Sequence, residues 1–150
     1  MAAPEQLDGA VGDWAGTNLL RLMPTDPYRE SEAHATVARA AGGDIVVINY
    51  TWAEAGEPQD GLLIISGGDE AGEARAMWVD SWHQRPQWIV LSGATDEAGV
   101  VRVAAPYAEG FEWWINVDAT TADALAITMD NVAPGAARYQ VVEARYTRQA

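Results

Sequence analysis

The feature that most constrains the fold is a succession of short β-rich runs, separated by turns about ten residues apart. Gly, Pro, Asp and Asn cluster between the runs, and every connection is too short for the helix of a parallel crossover. Neighbouring strands should therefore pair antiparallel, and so long a sheet must close on itself or split into two layers. Closure removes exposed edges, so we expect a single closed barrel of roughly eight to ten strands, with a sandwich as the alternative. The ten runs are 14–23, 31–39, 44–52, 60–66, 74–83, 87–92, 99–105, 111–118, 124–132 and 138–148.

The composition fits one domain and excludes several kinds of site. The 150 residues can bury roughly 70% of the surface of the unfolded chain without crosslinks. The absence of Cys excludes disulfides, thiolate zinc sites and Cys nucleophiles, and the absence of Lys excludes a Schiff base. The formal net charge is -13, and the nine basic residues are all Arg, so nucleic acid and anionic membranes should be repelled.

The beginning of the chain predicts a cytoplasmic protein. MAAPEQLDGA has neither the basic nor the apolar region of a signal peptide, and no segment reaches the ~20 apolar residues of a spanning helix. We expect residues 1–10 to be a loose lead-in or a short cap over one barrel end, and residues 11–150 to form the barrel. The abundance of Ala, Gly and Arg is typical of a GC-rich bacterial genome.

The stretch MWVDSWHQRPQW, residues 77–88, is the strongest candidate for a site. Strand alternation places Trp78, Asp80 and Trp82 on one face. If that face lines the barrel, the carboxylate lies among indoles and needs Arg21, Arg145 or a Trp Nε1–H group as its partner. His83 follows at the barrel rim, where it could cap a ligand or act as an acid or base. The alternatives are a structural ion pair and a His bonded to a loop carbonyl.

A hydrolase triad of Asp80, Ser81 and His83 is not expected. In a regular strand Asp80 and His83 would face opposite sides, about 10 Å apart along the chain. The side chains of a catalytic triad must instead be within hydrogen-bond distance of one another, about 3 Å. His34 should lie on exposed strand surface. Two His without Cys do not favour a zinc site, so no metal is predicted.

The residues Gly12-Asp13-Trp14 and the run after them resemble the start of the calycin barrels, which include lipocalins, fatty-acid-binding proteins and nitrobindin-like proteins. In that group a basic residue of the last strand packs on the Trp of the first. The resemblance therefore implies that Arg145 or Arg148 stacks on Trp14 and closes the barrel. Nitrobindin-like barrels hold haem through one His, so haem on His83 is an alternative to the prediction of no cofactor.

Longer stretches resemble a family of bacterial lipocalin-like domains of unknown function. They are PTDPYRESEA, YTWAEAGEPQDGLL, WVDSWHQRP and ARYQVVEARYTR. This resemblance covers nearly all of the chain and implies the fold, but no activity. The chain departs from lipocalins in its lack of a disulfide and a secretion signal, and in its shorter strands.

The first functional expectation is that the lumen binds a small apolar or aromatic ligand, because such pockets combine apolar walls with a few placed polar groups. Two alternatives stay open. One is a small-molecule enzyme of the isomerase or cyclase type with Asp80 or His83 as acid or base, and the other is a filled barrel that serves in assembly. A homodimer is considered alongside the small-molecule ligand. The expected ligand contacts are Tyr50, Trp52, Trp78, Asp80, Trp82, His83, Gln84, Trp113 and Gln140.

Overall fold

The computed structural model describes residues 2–83 and 87–150, and within them it is a closed antiparallel barrel of ten strands. Each strand pairs with its neighbours in sequence, and β1 pairs with β10 to close the sheet. The prediction of an all-β closed antiparallel barrel is confirmed. The strands are β1 Gly12–Leu20, β2 Arg29–Ala40, β3 Ile45–Glu54, β4 Glu57–Gly67, β5 Glu73–Asp80, β6 Ile89–Thr95, β7 Val101–Ala108, β8 Phe111–Asp118, β9 Ala124–Val132 and β10 Tyr139–Arg148.

The segment EAGEPQDG, most of which separates the predicted runs 44–52 and 60–66, is not a long loop. It contains a two-residue turn, in which Ala55 and Gly56 have φ values of 50° and 82°. Two consecutive residues with positive φ match the twist of a hairpin, so Glu54 pairs directly with Glu57. β3 and β4 are consequently longer than expected and extend to the barrel rim.

Side chains alternate between the lumen and the outer surface. On β5 the side chains of Ala74, Ala76, Trp78 and Asp80 are buried, whereas Met77 between them is partly exposed. The face that carries Asp80 is therefore the lumen. Large aliphatic side chains from strands all round the barrel pack together in its core, among them Val46, Ile48, Leu63, Ile65, Leu91, Val101, Ile115 and Ile127.

The two ends of the barrel differ. At the end where β1 begins and β10 stops, a 3-10 helix, Glu5–Ala10, buries Leu7 and Ala10 in the core. We call this the closed end, and the opposite one, where β1 stops and β10 begins, the pocket end. Within the described residues no helix is long and apolar enough to cross a membrane.

A cation–π contact joins the first and last strands at the closed end. The guanidinium of Arg148 lies 4.5 Å from the ring centroid of Trp14, and the indole Nε1–H donates to the carbonyl of Ala10 at 2.8 Å. Arg148 also donates to the carbonyls of Val11 and Gly9. One side chain thus ties β10 to β1 and to the helix that covers this end.

Of the two arginines that the resemblance offered as partners of Trp14, the structure selects Arg148. Arg145 faces outward from β10 and pairs with Glu143 at 2.7 Å. The difference follows from strand alternation and from register, since Arg148 is the direct partner of Trp14 across the β1–β10 ladder.

We predict that Arg148→Lys lowers the free energy of unfolding by about 2 kcal/mol, because an ammonium group cannot stack on the indole and reach several carbonyls at once. Urea unfolding followed by Trp fluorescence measures the change. The matched control is Arg145→Lys on the same strand, which should change stability by no more than about 0.5 kcal/mol. Equal effects of the two substitutions would contradict a special role for Arg148.

Candidate functional site

The pocket end is organised around the carboxylate of Asp80, the last residue of β5, which is only 1% exposed. Its Oδ2 accepts hydrogen bonds from Tyr50 Oη at 2.7 Å and Trp52 Nε1 at 3.1 Å. Its Oδ1 accepts from the backbone N–H groups of Trp82 at 2.8 Å and His83 at 3.1 Å. A carboxylate offers about four lone-pair positions, so all of them are used within the protein.

The two backbone bonds to Asp80 turn the chain at the end of β5. The prediction that this strand continues to residue 83 is wrong, because the side chain of Asp80 competes with the ladder for the next N–H groups. The turn places Trp82 and His83 at the rim. No triad results, because Asp80 bonds the backbone of His83, while the hydroxyl of Ser81 donates to Gln59 Oε1 at 2.7 Å.

Gly61 lets the network cross a strand. It lies between Tyr50 and Asp80 in the β3–β4–β5 register, and a Cβ at this position would be 2.2 Å from the Tyr50 hydroxyl oxygen. The missing side chain leaves room for Tyr50 to reach over β4. Its hydroxyl also accepts a hydrogen bond from Trp78 Nε1 at 2.8 Å.

Tyr50 acts as a neutral donor in this network. Burial raises the pKa of Tyr50 well above its usual value, and the charge of Asp80 raises it further. Neither Arg21 nor Arg145, the arginines weighed as partners of Asp80, pairs with it. Arg21 lies over the ring of Tyr28 at 4.5 Å, so tyrosine and tryptophan donors hold the carboxylate instead.

The imidazole of His83 lies in a cluster of four indoles. Trp52 stacks on it with ring centroids 5.6 Å apart, and Trp82 meets it edge-on at 4.8 Å. Trp78 and Trp113 are tilted toward it at 5.7 and 5.5 Å. The indoles of Trp78 and Trp113 also stack on one another, 5.6 Å apart and nearly parallel.

This environment favours the uncharged form of His83. Burial lowers the pKa of the imidazole below its usual 6.5, and the nearby carboxylates of Asp80 and Glu54 oppose that shift. At neutral pH the ring is therefore uncharged and can accept one hydrogen bond and donate another.

A pocket of about 220 Å³ opens at this end, lined by Trp78, His83, Tyr107 and Trp113. The Nε1–H of Trp113 is buried and has no hydrogen-bond partner among the described residues. Tyr107 is 42% exposed, and its hydroxyl donates to Asn131 Oδ1 at 2.6 Å. The pocket thus has aromatic walls, and one of its lining residues, Trp113, has an unused donor.

Larger depressions lie elsewhere on the molecule. One of about 410 Å³ runs along the closed end beside the turn 67–73, and one of about 650 Å³ lies by Trp52 and the outer sides of β2–β4. Ligand pockets are mostly lined by apolar and aromatic side chains. The aromatic walls of the 220 Å³ pocket fit that description, so we place the candidate site there.

Most of the residues predicted to contact a ligand come together at the pocket end, and two need separate mention. Gln84 lies outside the described residues. Gln140 is at the start of β10, where its Nε2 donates to Tyr28 Oη at 3.0 Å and Glu143 Oε2 at 2.8 Å, and it does not line the pocket. The residues that come together are Tyr50, Trp52, Trp78, Asp80, Trp82, His83 and Trp113.

Within this group Asp80 takes a positioning role. Like Tyr50, Trp52 and Trp82, it does not line the pocket, and its acceptor positions are filled. Tyr107, which does line it, was missed because it lies beyond the predicted end of the seventh run, and only the structure extends β7 to Ala108.

The described residues around His83 do not fit a haem. Four indoles lie within 5.7 Å of the imidazole, centroid to centroid, and a flat macrocycle bound to a ring nitrogen would have to displace them. His34, the other histidine, is exposed on the outer face of β2. In the described part of the chain no three His, Asp or Glu side chains are grouped to hold a metal ion.

Comparison with known proteins gives a family and a fold. A family described as "Protein of unknown function (DUF1579)" matches residues 2–148. The crystal structure of Rv2717c from M. tuberculosis is similar over 100% of both chains, with 17% identity and a TM-score of 0.64. The S-type phycobiliprotein lyase CPES from Guillardia theta has 11% identity and a TM-score of 0.67, over 100% of this chain and 94% of the lyase. No functionally curated protein matches the sequence.

We predict that Asp80→Asn lowers the free energy of unfolding by about 3 kcal/mol. An amide group turns one acceptor into a donor, which leaves Trp52 Nε1–H or a backbone N–H buried without a partner. Urea unfolding provides the measurement. Asp60→Asn, at an exposed position next to Gly61, is the control and should stay within about 0.5 kcal/mol of the wild type.

We also predict that His83 makes the protein less stable as the pH falls below 6.5. The unfolded chain takes up a proton on His83 near its usual pKa, whereas the folded protein resists protonation until a lower pH. The free energy of unfolding should therefore fall more steeply between pH 7 and 5 in the wild type than in His83→Phe. An NMR titration that placed the imidazole of His83 at or above its usual pKa would contradict this.

Proposed function

The chain belongs to the DUF1579 family of unknown function, and we propose that it binds a small, flat, uncharged aromatic ligand at the pocket end of the barrel. One observation carries the proposal. Trp113, one of the four aromatic residues that line the pocket, has a buried Nε1–H group without a partner among the described residues.

The size and shape of the pocket limit the ligand. Pockets for drug-sized molecules span roughly 300–1,000 Å³, so about 220 Å³ suits a ligand of one or two fused rings. Trp78 and Trp113 present indole surfaces, which favour offset or edge-on contact with another ring. A flat aromatic molecule fits these walls better than a long acyl chain.

Polar groups select among flat ligands. Trp113 Nε1–H requires an acceptor, and the uncharged imidazole of His83 can supply one further hydrogen bond. The ligand should therefore carry an oxygen or a ring nitrogen as acceptor. Leaving a buried donor unpaired costs about 1–3 kcal/mol, so a ligand that pairs Trp113 gains affinity over one that does not.

Charge disfavours anionic ligands. The carboxylates of Asp80 and Glu54 lie close enough to His83 to affect its pKa, and the whole chain carries a formal charge of -13. An anion would meet this field at low effective dielectric as it entered the pocket. A neutral ligand avoids that cost.

The comparison with a phycobiliprotein lyase is compatible with a ligand-binding role for a barrel of this kind. At 11% identity the similarity concerns the fold alone, so the proposal depends on the pocket. Whether the ligand is only held or also converted is a separate matter.

A small-molecule enzyme of the isomerase or cyclase type is the second candidate, and one observation favours it. His83 lines the pocket in its uncharged form, so it could accept a proton from a bound ligand. Asp80 is not suited to that role, because its four acceptor positions are occupied. Turnover of a bound compound by the wild type, lost in His83→Phe without loss of affinity, would support this candidate.

The proposal is tested by native mass spectrometry of freshly purified protein, with an absorption spectrum of the same sample. We expect a mass above 16.1 kDa that returns to the bare value on denaturation, and whose excess matches a small aromatic compound. A bound species that is a fatty acid or a haem, the latter with a Soret band, would overturn the proposed ligand class.

A matched pair of probes tests the role of Trp113 directly. Quinoline and naphthalene have the same two-ring shape, but only quinoline has a ring nitrogen as acceptor. We predict that the wild type binds quinoline roughly fivefold more tightly, which corresponds to about 1 kcal/mol for one hydrogen bond. NMR titration of the Trp113 indole N–H provides the measurement, since a new hydrogen bond moves this signal.

The control variant is Trp113→Phe, which keeps an aromatic ring and removes the donor. It should bind both probes with the same affinity. Equal binding of the two probes by the wild type would falsify the assignment of Trp113 as the ligand's hydrogen-bond donor.

A further inference from the structure

The outer surface of the barrel carries an apolar patch that nothing in the described chain covers. Two successive outward positions on each of β3, β4 and β5, and one on β6, are apolar and partly or fully exposed. Outer barrel positions normally face water and are polar. The β3–β6 patch consists of Ile45, Val47, Leu62, Ile64, Met77, Val79 and Val90.

Strand register makes these residues contiguous. Val47 pairs with Ile64, Ile64 with Met77, and Met77 with Val90, so a single row crosses four strands. At a spacing of about 4.8 Å between strands, the row is about 14 Å long. Directly paired side chains form one surface, unlike scattered exposed aliphatics, and patches of this kind mark interaction sites.

The residues around the patch have the character of an interface rim. Thr36 and Asn49 flank it on one side, and Ser66, Arg75 and Ser92 on the other. Of these five only Arg75 is charged, and it pairs with Asp69 at 2.8 Å. Interfaces combine an apolar centre with a polar rim and have few charges at the centre. The seven patch residues include no charge, in a chain whose formal net charge is -13.

We infer that the β3–β6 patch is the interface of a homodimer, with a second copy of this chain as the occupant. Two copies repel each other over most of their acidic surfaces, so they approach best where charge is absent. An apolar row can pack against its own two-fold image, and two-fold dimers are the commonest soluble oligomers.

The size of the patch sets the expected strength of the dimer. A standard interface contains about 20–30 residues on each side, and the patch with its rim is smaller. Trp88, which precedes β6 and is 61% exposed, extends the apolar surface toward the pocket end. We therefore expect a concentration-dependent dimer and not an obligate one.

Sedimentation velocity from about 1 to about 100 µM protein tests the inference, because a dimer of this kind must respond to mass action. The wild type should shift from the 16.1 kDa monomer toward twice that mass. Val90→Glu places a carboxylate opposite its own copy, and it should weaken the dimer at least about tenfold. Val90 is 67% exposed, so the fold should tolerate the change.

The matched control is Thr147→Glu, which adds the same charge at an exposed position on β10, away from the patch. It should dimerise like the wild type, and circular dichroism should give equal folding for all three proteins. A wild type that stays monomeric throughout, or a dimer that Val90→Glu leaves unchanged, overturns the inference. So does a monomer that instead binds phosphatidylcholine vesicles through this face. Pocket occupancy is measured separately, so neither result affects the proposed ligand site.

Discussion

The buried carboxylate of Asp80 is the interaction on which the pocket end depends. A charge taken out of water requires strong hydrogen bonds at every lone pair, and here two come from side chains of β3 and two from the backbone after β5. The same ion therefore fixes the wall of the barrel and the turn at its rim. The position of His83 among the indoles is a consequence of this arrangement.

The division between a filled core and an open end explains where function can lie. Aliphatic side chains from all sides pack in the core, and the 3-10 helix adds Leu7 at the closed end. Toward the pocket end tyrosine and tryptophan replace most of the aliphatics, and there Tyr50 can cross β4 because Gly61 has no side chain. Several of the seven Trp of the chain lie at this end, and there Trp52 and Trp78 each supply a hydrogen bond as well as bulk.

Local patterns in the sequence were sufficient for the fold, because alternation and turn chemistry act between near neighbours. They gave the ten strands and, in β5, the pair Trp78 and Asp80 on one face. They could not distinguish Arg145 from Arg148, which depends on the register of two strands 120 residues or more apart in the chain. Nor could they place Tyr107 in the pocket or Gln140 outside it, because pocket membership depends on how strands from opposite parts of the sequence converge.

The β3–β6 patch and the pocket end differ in the number of polar side-chain atoms they contain, and this difference indicates different roles. The outer patch has aliphatic side chains alone, which suits a broad contact with a second protein surface. Around His83 at the pocket end every aromatic ring carries a polar atom, and Tyr50, Trp52 and Trp78 all have partners within the protein. Trp113 Nε1–H has none among the described residues, although an unpaired buried donor costs about 1–3 kcal/mol. In a network that is otherwise satisfied, a ligand acceptor is the partner that would recover this free energy.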